Sequence, residues 1–255
     1  MLTEILSSSS LTIIVMVMLC LIVAGLMKGI IGVGMPIVAL PLVSMFIDVK
    51  AAVMLLTVPL VLSNIPQALE GGETLECLVR LIPVLVGMMP GILIGVLVLL
   101  KSDPSVAKTV AGMAVMLVAV LTLLAPKFRL RESLQMPVGI AAGFLGGALG
   151  GVAAMPGPLV FTFLLSKGLR GKDFTKEASL FLVLSAALLA GTLASSYKFD
   201  WVDLAISALA LAPVAVGMFF GQKLRDMIDE QAFKKIVLLV VLASGAGLLL
   251  KGLSS

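Results

Sequence analysis

The sequence contains no histidine, and only 13% of its residues are charged. The missing histidine removes the commonest metal ligand and the usual neutral-pH proton shuttle. It also excludes a Ser/His/Asp triad and an HExxH site. There are two cysteines, Cys20 and Cys77, too few for a disulfide framework, and Cys20 sits in an apolar run as a small core residue. Aromatic residues make up 5% of the chain and do not interleave with basic patches, so no nucleic-acid surface is expected. No GxxxxGK[ST] is present, so the chain carries no ATP motor of its own. Neither a cofactor nor a metal is implied. The start, MLTEILSSSS, has an acid and no basic region, so residues 1–27 do not read as a cleaved signal peptide.

What is present is apolar. Of 255 residues, 60% are hydrophobic and mean hydropathy is +1.22, whereas a soluble domain is about one quarter charged. The fold class is therefore an all-α polytopic membrane protein, with the lipid bilayer as its solvent. Apolar segments fall near 11–27, 30–47, 51–69, 78–100, 106–125, 136–152, 156–166, 177–196, 202–220 and 233–250. A spanning helix takes about 20 residues. The pairs 11–27 with 30–47, and 136–152 with 156–166, are each too long for one straight crossing, and each member is short. Each pair reads as one broken or re-entrant unit, giving eight crossings in two halves, residues 1–127 and 128–255. Counting loop charge, the basic loops around Lys101, around Lys167–Lys176 and around Lys223–Lys235 belong inside. The acidic loop Glu70–Glu76 belongs outside, with both termini outside and the halves parallel. The loop with Lys127, Arg129 and Arg131 disagrees, which leaves inverted halves open.

The halves share more than hydropathy. Pro83–Met88 reads PVLVGM, Pro213–Met218 reads PVAVGM, and Gly91 corresponds to Gly221. Glycines recur every fourth residue at Gly87, Gly91 and Gly95, at Gly139 through Gly151, and at Gly217 and Gly221. That spacing lets helix backbones approach closely, and it also suits a homodimer face.

Candidate site residues lie in the two interrupted stretches, Ala24–Pro41 and Ala142–Pro158. Glycine and proline loosen a helix or remove its donors, and such backbone persists in a membrane only where protein or a water-filled cavity surrounds it. Gly29, Gly32, Gly34 and Pro36 in the first stretch, and Gly150, Gly151, Pro156 and Gly157 in the second, would open half-helices whose N-terminal amides favour anions. Paired interruptions in matching positions point to a transporter's binding site. Lys28 is the sharpest single residue, because a charge deep in a bilayer costs at least about 2.5–3.5 kcal/mol. It either snorkels or caps a half-helix end, or it meets an anion. Among polar residues on the following helices, Asn64 and Ser179 are the chosen ligand candidates. Thr57, Ser63, Gln67, Ser185, Thr192 and Ser195 are others, and Glu177 reads as a first-turn cap.

GLMKGIIGVGMPIVALPL, GFLGGALGGVAAMPGPL, the repeated PVxVGMxxG and the two four-crossing halves together resemble the TauE/SafE family of sulfite exporters. The likeness covers nearly the whole chain. It implies a secondary transporter of the bacterial inner membrane for a small anionic substrate, sulfite or a small organosulfonate. Proton coupling is a common proposal for the family. The glycine-rich breaks at Gly29–Pro36 and Gly147–Pro158 would line the pathway. The first break departs from the commonest pattern in having Met35 and Pro36 after Gly34, and Lys28 is not expected throughout the family. A channel for small oxyanions could share the same site, and a membrane enzyme or assembly partner is the third class.

Overall fold

The computed structural model describes residues 2, 10–123, 129–196, 200–225 and 227–254. Lys127, Lys198 and most of the N-terminal stretch lie outside them. Among the described residues the regular elements are all helices. These are α1 (Leu11–Ile31), α2 (Met35–Val43), α3 (Val49–Leu69), α4 (Thr74–Lys101), α5 (Pro104–Leu123), α6 (Glu132–Ala153), α7 (Gly157–Ser166), α8 (Gly171–Ser195), α9 (Trp201–Leu209), α10 (Leu211–Leu224) and α11 (Glu230–Leu253). Among the described residues eight helices are long and apolar enough to cross a membrane, with α9 and α10 together forming one of them. The order is long, short, then three long, and it occurs twice. The protein is a polytopic membrane protein with four long helices on each side of residue 127.

Helix boundaries follow local chemistry. Ser10 caps α1, and Asp48 caps α3 by accepting from the Lys50 amide at 3.0 Å. Helix α1 ends in left-handed Gly32 (φ 89°), and α2 begins after left-handed Gly34 (φ 97°). A side chain at either position would be strained, so these two glycines place the first break three residues beyond Lys28–Gly29. Helix α6 ends at Ala154, and Pro156 opens α7.

Glycine ridges set the helix directions. Cβ atoms added at Gly87, Gly91 and Gly95 of α4 would strike the backbone at Ile140, Phe144 and Ala148 of α6, in rising order, so α4 and α6 are parallel. Gly25 and Gly29 of α1 meet Val214 and Met218 of α10, also parallel. Gly112 of α5 meets Leu249 of α11, and Gly252 meets Thr109, so that pair is antiparallel. These pairs and α3 with α8 are the most extensive helix contacts. The ridges at 87–95 and 217–221 are thus occupied inside one chain, and a homodimer would have to use another face.

These directions correct the sequence topology. Because α4 and α6 are parallel and short loops reverse the chain between neighbouring long helices, α1 and α3 run the same way, and so do α6 and α8. The short helices α2 and α7 must run back between them. Each half then has four long helices and one short returning helix, and the two sets run in opposite directions rather than in parallel. The acidic loop meets the basic one: Lys172 lies 3.8 Å from Glu70. The Leu130 amide donates to the Ser166 carbonyl at 3.0 Å, joining the loop with Arg129 and Arg131 to the same end. At the opposite end Lys50 donates to the Ser102 carbonyl at 2.7 Å. The expected eight long apolar helices are present among the described residues; the expected orientation differs because the count of loop charge takes each broken pair as one net crossing, whereas its long member spans alone and its short member turns back. That count also sets acids against bases, whereas acids contribute little to orientation.

Candidate functional site

A cavity of about 590 Å³ opens at the end that carries the basic loops 167–176 and 223–235; the basic loop around Lys101 lies at the opposite end. One wall is the first break, through Met27, Ile31, Gly32, Val33, Gly34 and Ile37. The facing wall is the side of α7 and the start of α8, through Pro158, Phe161, Thr162, Leu165, Phe174 and Thr175. Phe161 and Phe174 pack edge to face at 5.7 Å, which makes a firm apolar wall. Gln67, Glu70, Thr122, Lys172 and Arg225 supply the polar part. Lys172 and Arg225 are exposed, and of these two only Lys172 has a carboxylate partner among the described residues. A smaller space bounded by Pro66, Gln67, Glu70, Gln222 and Arg225 adjoins the mouth.

The first break shapes the cavity through its backbone. The Gly32 amide closes α1 by donating to the Lys28 carbonyl at 2.7 Å. Pro36 lacks a donor and the Ile37 amide returns to the Gly34 carbonyl at 3.1 Å, so the start of α2 has few donors left, at Val33, Gly34 and Met35.

Lys28 is 2% exposed and does not line the cavity; it sits behind the break. Its Nζ donates to Oδ1 of Asn64, itself 1% exposed, and Asn64 Nδ2 donates to the Leu60 carbonyl at 2.7 Å. Asn64 is therefore spent on holding the lysine. Among the described residues no carboxylate lies within 4.0 Å of Lys28. Nζ meets only this amide, so a proton carried there is not offset by any carboxylate in reach among the described residues.

The other sequence candidates divide by location. Gly32 and Gly34 line the cavity, and Pro36 is buried just beyond them. Gly29 faces Gly221 in the α1–α10 seam, and Gly151 faces Ile92 in the α4–α6 seam, so both pack helices. Gly150 makes room for Pro156, and Gly157 lies against the Phe161 ring; neither they nor Pro156 line the cavity. The second break thus contributes Pro158, in the first turn of α7, and the flank of that helix through Phe161, Thr162 and Leu165. Ser179 is buried and donates to Gln67 Oε1 at 3.2 Å. Thr57 and Thr192 bond the carbonyls four residues back. Glu177, which the sequence suggested as a cap, is fully buried and accepts from Arg80 Nε at 2.5 Å. Sequence reasoning missed Thr162, Thr175 and the rim cations as a group. Lys172 and Arg225 read there only as loop charge, and no local signal marks Thr162. Among the described residues no cluster of metal-binding side chains occurs.

No curated protein and no solved structure matches the chain. The family model described as sulfite exporter TauE/SafE matches residues 17–248, which include every helix named above except the ends of α1 and α11. A multi-pass bundle with a polar-mouthed cavity at a broken helix and a match over nearly its whole length places this chain in the TauE/SafE sulfite exporter family, a family of membrane transporters.

Proposed function

We propose that the chain is a secondary carrier of a small anion, sulfite or a small organosulfonate, that works by alternating access between two related, inverted halves in a bacterial inner membrane. The observation that carries this reading is the cavity at the first break. Its rim bears Lys172 and Arg225, the break leaves backbone amides at Val33 and Gly34 as donors, and Lys28 is buried behind it. The hydroxyls of Thr122, Thr162 and Thr175 donate to carbonyls four residues back and reach a ligand only by releasing them. A small oxyanion needs that combination of positive field and short-range donors. The carrier form is supported by the helix pairing. Helix α1 packs on α10 as α6 packs on α4, α3 pairs with α8 and α5 pairs with α11, which is the pattern two inverted repeats produce.

Arg80, Arg129, Arg131, Lys167, Arg170, Lys176, Lys223 and Lys235 share the cavity's end with Lys172 and Arg225, while Lys50, Lys101, Lys108 and Lys251 lie at the other. The positive-inside rule makes the cavity's end cytoplasmic. The conformation is then inward-open, ready to load an anion for export.

Sulfite uptake into proteoliposomes tests the function. Flux should saturate, and an imposed pH gradient should change its rate if the proton is the coupling ion. Flux that rises linearly with concentration, without saturation, would point to a channel instead. The rim offers a finer check. Glu70 competes with substrate for Lys172 through an exposed ion pair, and such pairs are weak. Glu70→Gln should therefore lower KM for sulfite by up to about fivefold with turnover unchanged, and Lys172→Gln should raise it.

A further inference from the structure

Gln67 is on α3, two residues before its end, and borders both spaces at the mouth. Its amide is used in both directions. Nε2 donates to the Gly32 carbonyl at 3.0 Å, and Oε1 accepts from Ser179 Oγ at 3.2 Å. A carbonyl can only accept, so the first bond fixes which way the amide faces and leaves Oε1 for the hydroxyl. The segment it holds has little stiffness of its own. Gly32 and Gly34 both sit in the left-handed region, and the atom nearest to a Cβ added at Gly32 is Gln67 Nε2 itself, at 3.9 Å. Ser179 is fully buried on α8, two residues after Glu177, which Arg80 anchors to α4.

We propose that Gln67 is a positioning residue that locks the first break to α8, so that the shape of the anion-facing backbone and the placement of α8 change together. The tie spans the two halves: Gly32 and Gln67 belong to the first and Ser179 to the second. An anion that reorganises the 32–34 backbone pulls on the Gly32 carbonyl, and Gln67 passes that movement to Ser179. The proposal takes its transport arm from the carrier reading, but the bond network exists without substrate and is tested separately.

The experiment is amide hydrogen exchange in nanodiscs without substrate, on the wild type, Gln67→Leu, Ser179→Ala and the double variant. Gln67→Leu should speed exchange of the bonded amides that flank the break, Gly32 and Ile37, by roughly tenfold, with α5 and α11 unchanged. Ser179→Ala should give a smaller increase, and the double variant should exchange no faster than Gln67→Leu alone, because both remove one connected tie. Unchanged exchange at the break overturns the proposal. So does an equal acceleration in α5 and α11, which would make Gln67 general packing, and so do additive effects of the two substitutions. Sulfite flux is measured on the same variants. Gln67→Leu should lower turnover by roughly tenfold, and Gln67→Glu, which keeps an acceptor for Ser179 but loses the donor to Gly32, should follow it. Unchanged turnover in Gln67→Leu overturns the coupling claim. A wild type that moves no sulfite would instead sink the carrier reading, while the exchange result still decides the tie.

Discussion

Lys28→Met is expected to leave the protein folded and at least as heat-stable as the wild type, while raising KM for sulfite more than tenfold. The two halves of that expectation have separate causes. Exchanging a buried charged group for an apolar side chain of similar length removes a desolvation cost, and such replacements are often neutral or stabilising by about 1–4 kcal/mol. Asn64 would lose its partner at Oδ1 but keep its bond to Leu60, which limits the gain. Affinity moves the other way. When Lys28 is protonated, a unit charge roughly 10 Å from an anion, at an effective dielectric of about 20, attracts it by about 1.7 kcal/mol, close to 17-fold. Lys28 is one helical turn from Gly32, which lines the cavity, so its field acts there without contact. The measurements are thermal unfolding in detergent and saturation kinetics in proteoliposomes. A variant with lowered Tm and unchanged KM would make Lys28 a structural residue and remove it from the site.

Gly91→Val is expected to be among the most damaging single changes in the bundle, with a loss of about 3 kcal/mol or more. An added Cβ at Gly91 collides with the carbonyl of Phe144 and with the Ala148 amide. Those are backbone atoms of a facing helix, so no rotamer change relieves the clash, and α4 and α6 would have to separate along their whole seam. Gly247→Ala provides the control. It lies on α11 with nothing within 4 Å of the added methyl, and alanine favours a helix over glycine by about 1 kcal/mol. Yield of monodisperse protein and Tm should fall sharply in the first variant and hold or rise in the second. Similar behaviour in both would mean that the parallel seam is not what fixes the helix directions.

Much of the architecture was legible because bilayer chemistry leaves marks in sequence. Long apolar runs give the spanning helices, every-fourth glycine gives close helix contacts, and glycine with proline gives the breaks. Asp48 at the start of α3 is a cap of the kind that local sequence specifies, because a cap needs only its neighbours. Direction was not legible. Whether Met35–Val43 continues α1 or returns beside it depends on the left-handed turn at Gly32 and Gly34 and on which distant helix covers it, and neither is a local property. The site was half visible for the same reason. Gly32, Gly34 and the oddity of Lys28 could be read from the chain alone. That Asn64 holds Lys28, that Gln67 reaches Gly32, and that Lys172 and Arg225 share a rim with Thr162 all depend on contacts between remote segments.

The most direct test of the central claim is sulfite counterflow in proteoliposomes that contain the purified chain. Vesicles preloaded with unlabelled sulfite should take up labelled sulfite transiently above its equilibrium level, because a carrier returns loaded faster than empty. That overshoot should shrink in Lys28→Met. Uptake that is indifferent to preloading, or equal to that of protein-free vesicles, would contradict the account.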